Sequence, residues 1–414
     1  MEWQTALIMM LGIVVVCMFA GLPVVIAFFA ANIVGTAVFM GVSAGLASMP
    51  MEFHTGVAIR AIAAVDRLIA RVPGRLSVVS IAGGTVFSSL SGSTIANTAI
   101  LGSVLLPDMM KRGYQPTIAM GPIMATGGIA MLIPPSALAV LLASLAEQSI
   151  AKLLIAGIVP GILMAILFVA YVVGRCSLNP ALAPAYKVEE MTTAERWMPF
   201  VKYVLPLFSI FVVVVGSIFF KWAAPTEAAA LGCIAAAVAC ACYRALTWAA
   251  LKKALLETAK INTMIMIIIA GSLTFSQVLA VSGSVDGLLS QITALNLTPF
   301  LAIIVMMLVL LFLGAFMDQV SMLLLTLPFF MPFAATQGID TLWLMVLMLI
   351  VMEISLLTPP FGLLLFVMKG VAPFKTSLMQ IYAAALPFVC IELFVLALLI
   401  LFPSVALWLP SFIK

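Results

Sequence analysis

The sequence predicts an all-α polytopic membrane protein, built as an inverted repeat with two re-entrant helical hairpins. Three observations carry that prediction. Of 414 residues, 65% are hydrophobic and 8% charged, whereas roughly a quarter of a soluble domain is charged. Apolar runs long enough to cross about 30 Å of hydrocarbon recur along the chain. Proline and glycine landmarks of the first half also return in the second half at one fixed offset. This composition excludes a soluble globular protein, a disordered chain, a basic nucleic-acid-binding face and a disulfide scaffold, and it makes the lipid bilayer the solvent.

The amino end, Met1 to about Ala20, lacks a basic n-region and runs directly into Gly21-Leu22-Pro23, so it reads as a retained membrane helix rather than a cleaved signal. Membrane-length apolar segments follow the chain at 4–20, 22–42, 117–142, 154–174, 203–221, 225–243, 261–281, 342–366 and 379–402. Two further apolar stretches, 76–106 and 299–331, are interrupted by Ser91-Gly92-Ser93 and by Gly314 to Asp318. Each half is then about 15 residues, about 22 Å as helix, which is short for a crossing and right for one arm of a re-entrant hairpin.

The repeat is read by subtraction. Pro107 pairs with Pro332, Gly113 with Gly338, Pro134 with Pro359 and Pro135 with Pro360, every pair 225 apart. The expected organisation is a first repeat at 1–175, a connecting cytoplasmic loop at 176–202 and a second repeat at 203–414. Loop charge gives the relative orientation, because cytoplasmic loops collect Lys and Arg. Arg60, Arg67, Arg71 and Arg75 precede the first hairpin and Lys111-Arg112 follow it, whereas 283–297 and 333–341 around the second contain neither residue type. The copies are therefore expected to be inverted, with Lys369, Lys375, Arg244, Lys252, Lys253 and Lys260 also on the cytoplasmic side.

Little here supports enzyme chemistry. The single histidine, His54, has no HExxH pattern or Cys/His cluster around it, and the six cysteines lie in or beside apolar runs as packing residues. There is no phosphate-binding GxxxxGK[ST] loop, so the chain contains no ATP motor. What it does contain is oxygen in unusual places. A hairpin tip within a membrane exposes helix ends whose carbonyls coordinate cations and whose N–H groups face anions. The tip sequence from Gly83 to Thr98, centred on Ser91-Gly92-Ser93, concentrates hydroxyl and amide groups in apolar surroundings; close packing of small residues is the plainer reading. Leu132-Ile133-Pro134-Pro135-Ser136 and Leu357-Thr358-Pro359-Pro360-Phe361 each free backbone carbonyls that a sodium ion would satisfy, with a simple kink as the alternative. Asp318 beside Gly314 is the preferred functional carboxylate and Glu353 the second, while Glu227 and Glu392 read as capping or solvated residues near the ends of apolar runs.

Taken together, Ser91-Gly92-Ser93 through Leu105-Leu106-Pro107, Arg112-Gly113-Tyr114, Ile133-Pro134-Pro135-Ser136, Ala156-Gly157-Ile158-Val159-Pro160-Gly161, Pro225-Thr226-Glu227-Ala228 and Thr358-Pro359-Pro360-Phe361-Gly362 resemble the large membrane subunit of tripartite ATP-independent periplasmic (TRAP) transporters over nearly the whole chain. The resemblance implies an elevator-type, sodium-driven secondary transporter in the bacterial inner membrane. It would take up an organic acid delivered by a periplasmic substrate-binding protein and would require a small membrane (Q-type) subunit. Carried over by position, Ser91, Ser93, Asn97, Ser136 and Asp318 are the expected substrate-sensitive residues. Two sodium sites are expected, one per half, drawn from Ser91, Gly92, Asn97, Pro134, Gly314, Asp318, Thr358 and Pro359. Where many members carry an aspartate this chain has Asn97, whose amide oxygen can still ligate sodium. The alternative is a standalone ion-coupled anion carrier that needs no binding protein.

The first half departs from the family pattern in length. Pro23 matches Pro225 at an offset of 202 rather than 225. One span is therefore expected to be missing near Met51 to Phe53, either by a natural deletion that turns the amino end to the cytoplasmic face or by truncation of the gene model.

Overall fold

The computed structural model describes residues 64–412, except 67, 70–71, 92–93, 135, 185–192, 243–246, 249–250, 253–266, 268–269, 272–273, 276, 295–296, 360–361 and 374–375. The helices expected at 4–20 and 22–42, most of that at 261–281, and the short region near Met51 lie outside the described residues. All regular structure among the described residues is helical. The chain forms two compact units, each discontinuous in sequence: a smaller one from 1–52, 248–306 and 317–341, and a larger one from 53–247, 307–316 and 342–414.

The larger unit begins with α1 (Arg75–Ser91), α2 (Thr94–Lys111), α3 (Pro116–Leu132), α4 (Ala137–Leu145), α5 (Ile150–Ala156), α6 (Ile158–Leu178), α7 (Thr193–Pro199), α8 (Leu205–Phe219) and α9 (Pro225–Cys242). The smaller unit holds α10 (Ser284–Ala294) and α12 (Gln319–Thr336), and the boundary falls within α11 (Pro299–Gly314). After Thr341 the larger unit resumes with α13 (Thr341–Leu357), α14 (Leu363–Val371), α15 (Leu378–Leu401) and α16 (Ser404–Leu407). By length and composition, Ile150–Leu178, Gln319–Thr336 and Leu378–Leu401 can each cross a membrane, and the bent pair α3 and α4 together makes a fourth.

Both predicted interruptions are helix breaks. α1 ends at Ser91 and α2 starts at Thr94; α11 ends at Gly314 and α12 starts at Gln319. α1 and α2 fold back on one another so closely that a methyl group at Gly84 would come within 2.7 Å of Leu101 Cδ1. The arms are longer than expected, however, at 17 and 18 residues for α1 and α2 and 16 and 18 for α11 and α12. Most of the excess lies at the far ends, where α2 carries Pro107 inside it and runs on to Lys111 and α12 carries Pro332 and runs on to Thr336. The arms thus span about 24 to 27 Å, and arm length alone does not force either stretch to turn back.

The two Pro-Pro sites also stop helices. α3 ends at Leu132, Ile133 is extended (φ −89°, ψ 121°), and Ser136 caps the start of α4 by accepting from the Ala139 N–H at 3.2 Å. The two helices meet at 41°. α13 likewise ends at Leu357, and α14 resumes at Leu363. In each case proline removes a donor and biases the residue before it away from helix.

The core of the larger unit is built on α3 and α13. Every residue of α3 from Ile118 to Leu132 is buried, as is every residue of α13 from Leu344 to Leu357. α15 buries a single stripe, Ile381, Ala384, Ala385, Phe388, Glu392, Val395, Leu396 and Leu399. The opposite side of α15 exposes Leu386, Leu393 and Phe394, and α8 and α9 expose Phe208, Val212, Leu231 and Ile234, all apolar surface suited to lipid. Between helices in a bilayer the attraction is chiefly van der Waals contact, so close approach depends on small residues. A Cβ on Gly121 would lie 2.5 Å from the Ala384 carbonyl oxygen of α15, and one on Gly157 would overlap the carbonyl oxygen of Leu132.

The entry to α1 is tied down by polar contacts. Arg75, expected in a solvated loop, is buried and ion-paired with Asp66. The Leu76 N–H donates to Tyr114 Oη at 3.3 Å, Ser77 Oγ donates to the Ile118 carbonyl at 2.7 Å, and the Gln115 N–H donates to the Leu182 carbonyl at 2.9 Å. Burial pushes the Tyr114 hydroxyl above its ordinary pKa, and the Leu76 N–H offsets part of that.

Gly157→Ala should lower the midpoint of thermal unfolding in detergent, by an overpacking cost of about 1 to 3 kcal/mol, because the atom in its way belongs to backbone. Gly174→Ala, with nothing within 4 Å of the new methyl, should leave the midpoint unchanged or raise it.

Candidate functional site

The most unusual chemistry in the larger unit surrounds three consecutive residues of α3, Thr126-Gly127-Gly128. The two glycines carry no side chain, so neighbouring helices reach the α3 backbone, and α2 and α13 each bring polar groups. From α2, Asn97 Nδ2 donates to the carbonyls of Gly84 and Thr126, both at 3.4 Å. A Cβ on Gly127 would lie 3.0 Å from Thr98 Oγ1 and 2.8 Å from Thr94 Cγ2, also on α2, and 3.2 Å from Leu364 Cδ1 on α14. A Cβ on Gly128 would overlap Cγ of Glu353 on α13 and lie 2.8 Å from its Oε1.

What distinguishes this cluster is its unmet polarity. Asn97 and Thr98 are fully buried, yet among the described residues Asn97 Oδ1 and Thr98 Oγ1 have no hydrogen-bond partner. Each such group costs about 1 to 3 kcal/mol, and buried groups of this kind are rare enough to require an explanation. Thr126 by contrast is satisfied, donating to the Pro122 carbonyl at 2.5 Å. Two buried oxygens without donors, beside a helix break and next to main-chain carbonyls, are a donor set suited to a hard monovalent cation such as sodium, which needs no thiolate or imidazole. Among the described residues no group of three His, Cys, Asp or Glu side chains forms a transition-metal site.

The other sequence-predicted residues are distributed as follows. Ser91 ends α1, with its side chain outside the described residues, as are Gly92 and Ser93 altogether. Pro134 and Ser136 are buried at the break after α3, and the Ser136 hydroxyl is engaged as a helix cap. Gly314 is buried at the end of α11; Thr358 is half-buried and donates to the Ile354 carbonyl at 2.6 Å, and Pro359 is exposed. Asp318 belongs to the smaller unit and caps α12, accepting from the N–H groups of Val320 at 3.0 Å and Ser321 at 3.2 Å and from the Ser321 hydroxyl. Its carboxylate is thus committed to the helix N-terminus, a role that a short acidic side chain ahead of an apolar helix announces.

Glu227 is a cap as expected, its carboxylate accepting from the Ala224 N–H at 2.7 Å. Glu392 corrects the sequence reading, because it lies in the middle of the buried stripe of α15 at 0% exposure. Sequence reasoning placed Thr98 in the oxygen-rich tip cluster without singling it out, and missed the Thr126-Gly127-Gly128 segment. A Thr-Gly-Gly run inside an apolar helix is the signal that could have found it.

With this geometry in place, the comparisons with known proteins are informative. Residues 46–405 match the family described as "Tripartite ATP-independent periplasmic transporter, DctM component". The chain is 34% identical to the C4-dicarboxylate TRAP transporter large permease protein DctM of Pseudomonas aeruginosa, over 86% of this chain and 82% of that protein. It is 32% identical to the 2,3-diketo-L-gulonate TRAP transporter large permease protein YiaN of Escherichia coli, over 75% of this chain and 72% of that protein. It is 29% identical to the sialic acid TRAP transporter large permease protein SiaM of Vibrio cholerae, over 83% and 79%. In fold it is similar to the YdaH transporter of Alcanivorax borkumensis, with a TM-score of 0.51 at 15% identity over 92% of this chain and 87% of that one.

Because Asn is as good an N-cap as Asp, Asp318→Asn should keep the thermal midpoint. Asp318→Ala should lower it by about 1 kcal/mol of helix-cap energy, read by circular dichroism melting of the detergent-solubilised protein.

Proposed function

Since the chain belongs to the DctM component family of tripartite ATP-independent periplasmic transporters, we propose that it is the large permease subunit of a sodium-coupled uptake system for an organic acid in the bacterial inner membrane. It is a transport permease and not an enzyme. The partners are a small membrane (Q-type) subunit and a periplasmic substrate-binding protein that delivers the acid. Relatives are named for a C4-dicarboxylate, for 2,3-diketo-L-gulonate and for sialic acid. The common chemistry is a carboxylate on a small polar molecule, and that class is the cargo proposed here.

The observation that carries the sodium coupling is the pair of unpartnered buried oxygens, Asn97 Oδ1 and Thr98 Oγ1. A sodium ion would be held by these two groups, which supply two of the oxygens it needs and are themselves satisfied by it. Their setting supports coupling to movement. α2 is one arm of the first hairpin, and α14, which follows the second Pro-Pro break, packs along it: a Cβ on Gly102 would lie 2.6 Å from Val371 Cγ2. Binding an ion here would join the hairpin to the helix after the break, so that both move together with the acid in an elevator step. By the repeat, a second sodium site is proposed around Gly314, Thr358 and Pro359; from the sequence alone, Ser91, Gly92 and Pro134 are assigned to the first ion and Ser91, Ser93 and Ser136 to the acid. Asp318, in the smaller unit, acts by fixing the start of α12. The inverted two-repeat arrangement, with its boundary in 176–202, belongs to the same proposal.

The test is uptake of labelled C4-dicarboxylates and sugar acids into proteoliposomes holding this chain and its small membrane partner. Uptake should require both the binding protein and an inward sodium gradient, and an equal potassium gradient should not replace sodium. Thr98→Val should raise the sodium concentration for half-maximal uptake at least tenfold, a loss of about 1.4 kcal/mol in ion binding, while leaving the thermal midpoint near that of the parent. Uptake without the binding protein would instead establish a standalone carrier.

A further inference from the structure

Neither the family reading nor the sodium site uses the two most deeply buried acids among the described residues. Glu353 lies in the wholly buried run of α13, and Glu392 lies at the centre of the buried stripe of α15, with exposures of 1% and 0%. None of their four carboxyl oxygens has a hydrogen-bond partner among the described residues. The two carboxyls are near enough to act on one another electrostatically.

The helix packing brings α13 and α15 to one face of α3. Gly121 and Gly128 are two turns apart on α3, so they lie on nearly the same face. Gly121 opens that face to Ala384 and Phe388 of α15, and Gly128 opens it to Glu353 of α13. One turn beyond Phe388 on α15 is Glu392. The glycine at 128 leaves the volume in which the Glu353 carboxyl sits, since any Cβ would overlap it.

We propose that Glu353 and Glu392 form a proton-binding carboxyl pair, and that this pair makes transport respond to pH independently of its response to sodium. The chemistry follows from the absence of donors. A lone ionised carboxylate out of water is costly, and two adjacent ones repel as well. Guanidinium, ammonium and backbone N–H groups would each relieve this, and among the described residues none bonds to either carboxyl. The remaining partner is a proton, which neutralises one carboxyl and donates a hydrogen bond to the other, as in other carboxyl pairs that share one proton. The proton is taken from water on one side of the membrane when the helices part and returned to water when they part on the other. No other bond is made or broken.

The surroundings leave the pair to itself among the described residues. α3 and α16 carry no titratable side chain, and Glu353 is the only one on α13. α6 brings Tyr171, whose ring stands edge-on to Phe388 at 5.4 Å, and near its far end Arg175 and Cys176. α14 brings Lys369, which donates to the Thr376 carbonyl, and α15 itself adds Tyr382 and Cys390.

The proposal rests on the transport reading for its consequence but not for its site, and the experiment separates the two. Infrared spectra of the full chain in lipid nanodiscs should contain a protonated-carboxyl band at neutral pH that shifts in heavy water. That band should vanish in the Glu353→Gln/Glu392→Gln double variant. Glutamine matches a neutral carboxyl in shape, so each single variant, Glu353→Gln and Glu392→Gln, should melt within a few degrees of the parent. In proteoliposomes with the partner proteins, an imposed pH gradient at fixed sodium should change the parent's uptake severalfold. The double variant should lose that response and keep its sodium requirement. Identical infrared bands in parent and double variant would overturn the site even if no uptake were observed. Identical pH-gradient responses would overturn its role in transport. If the double variant does not fold, the two single variants decide the same question: the heavy-water band should change frequency in each, because the remaining carboxyl has lost its partner, and an unchanged band in both would overturn the site.

Discussion

Inside a bilayer every backbone N–H and C=O has to find its partner within the protein, and this requirement governs everything else in the fold. It explains why the regular structure is helical and why the interruptions are few. Several helix starts are capped by side chains. Ser136 caps the helix that follows the first Pro-Pro break, Asp318 caps α12, and Ser377 with Gln380 forms a reciprocal capping box at the start of α15. Among the described side chains, Asn97, Thr98, Glu353 and Glu392 keep buried oxygens without a hydrogen-bond partner. Two of these, Thr98 and Glu353, lie directly beside the glycines of α3.

Those glycines show how packing and chemistry are linked. An interior of leucine and isoleucine would hold α3 at a distance from its neighbours, and a threonine or glutamate there would touch only hydrocarbon. Replacing side chains by hydrogens at 127 and 128 brings α2 and α13 close enough that Thr98 and Glu353 meet the α3 backbone. Dispersion attraction along the remainder of the closely packed helix faces offsets the cost of desolvating the polar groups.

Much of this is legible in the sequence where a residue's covalent structure dictates its effect. Proline cannot donate, so the breaks at Pro134 and Pro359 are readable, and the helix bounds at Leu178, Cys242 and Leu401 fall within a few residues of the apolar runs. The buried state of Glu392 is not legible. In a soluble helix the polar face marks the outside by contrast, but on α15 both faces are apolar, one against protein and one against lipid, so the stripe containing Glu392 has no contrasting side. The full length of α2 and α12 escapes a reading that ends the apolar runs just before Pro107 and Pro332, since both helices continue through those prolines. The cap at Asp318 is readable but is outweighed by the rule that an intramembrane acid is functional. Asn97 and Thr98 are both legible as polar residues in an apolar stretch, but that their oxygens are buried without donors is decided by the packing of α2 on α3.

Gly128 and Glu353 share one volume, and that has a consequence for how the sequence can drift. A methyl group added at 128 has to be matched by atoms lost at 353, because the two side chains occupy the same few cubic ångströms. The positions are therefore not free to vary singly. Homologues with alanine in place of this glycine are expected to carry a shorter or absent acid across from it, and the surviving combinations trace a ridge in sequence space along which backbone clearance and negative charge are inherited as one unit.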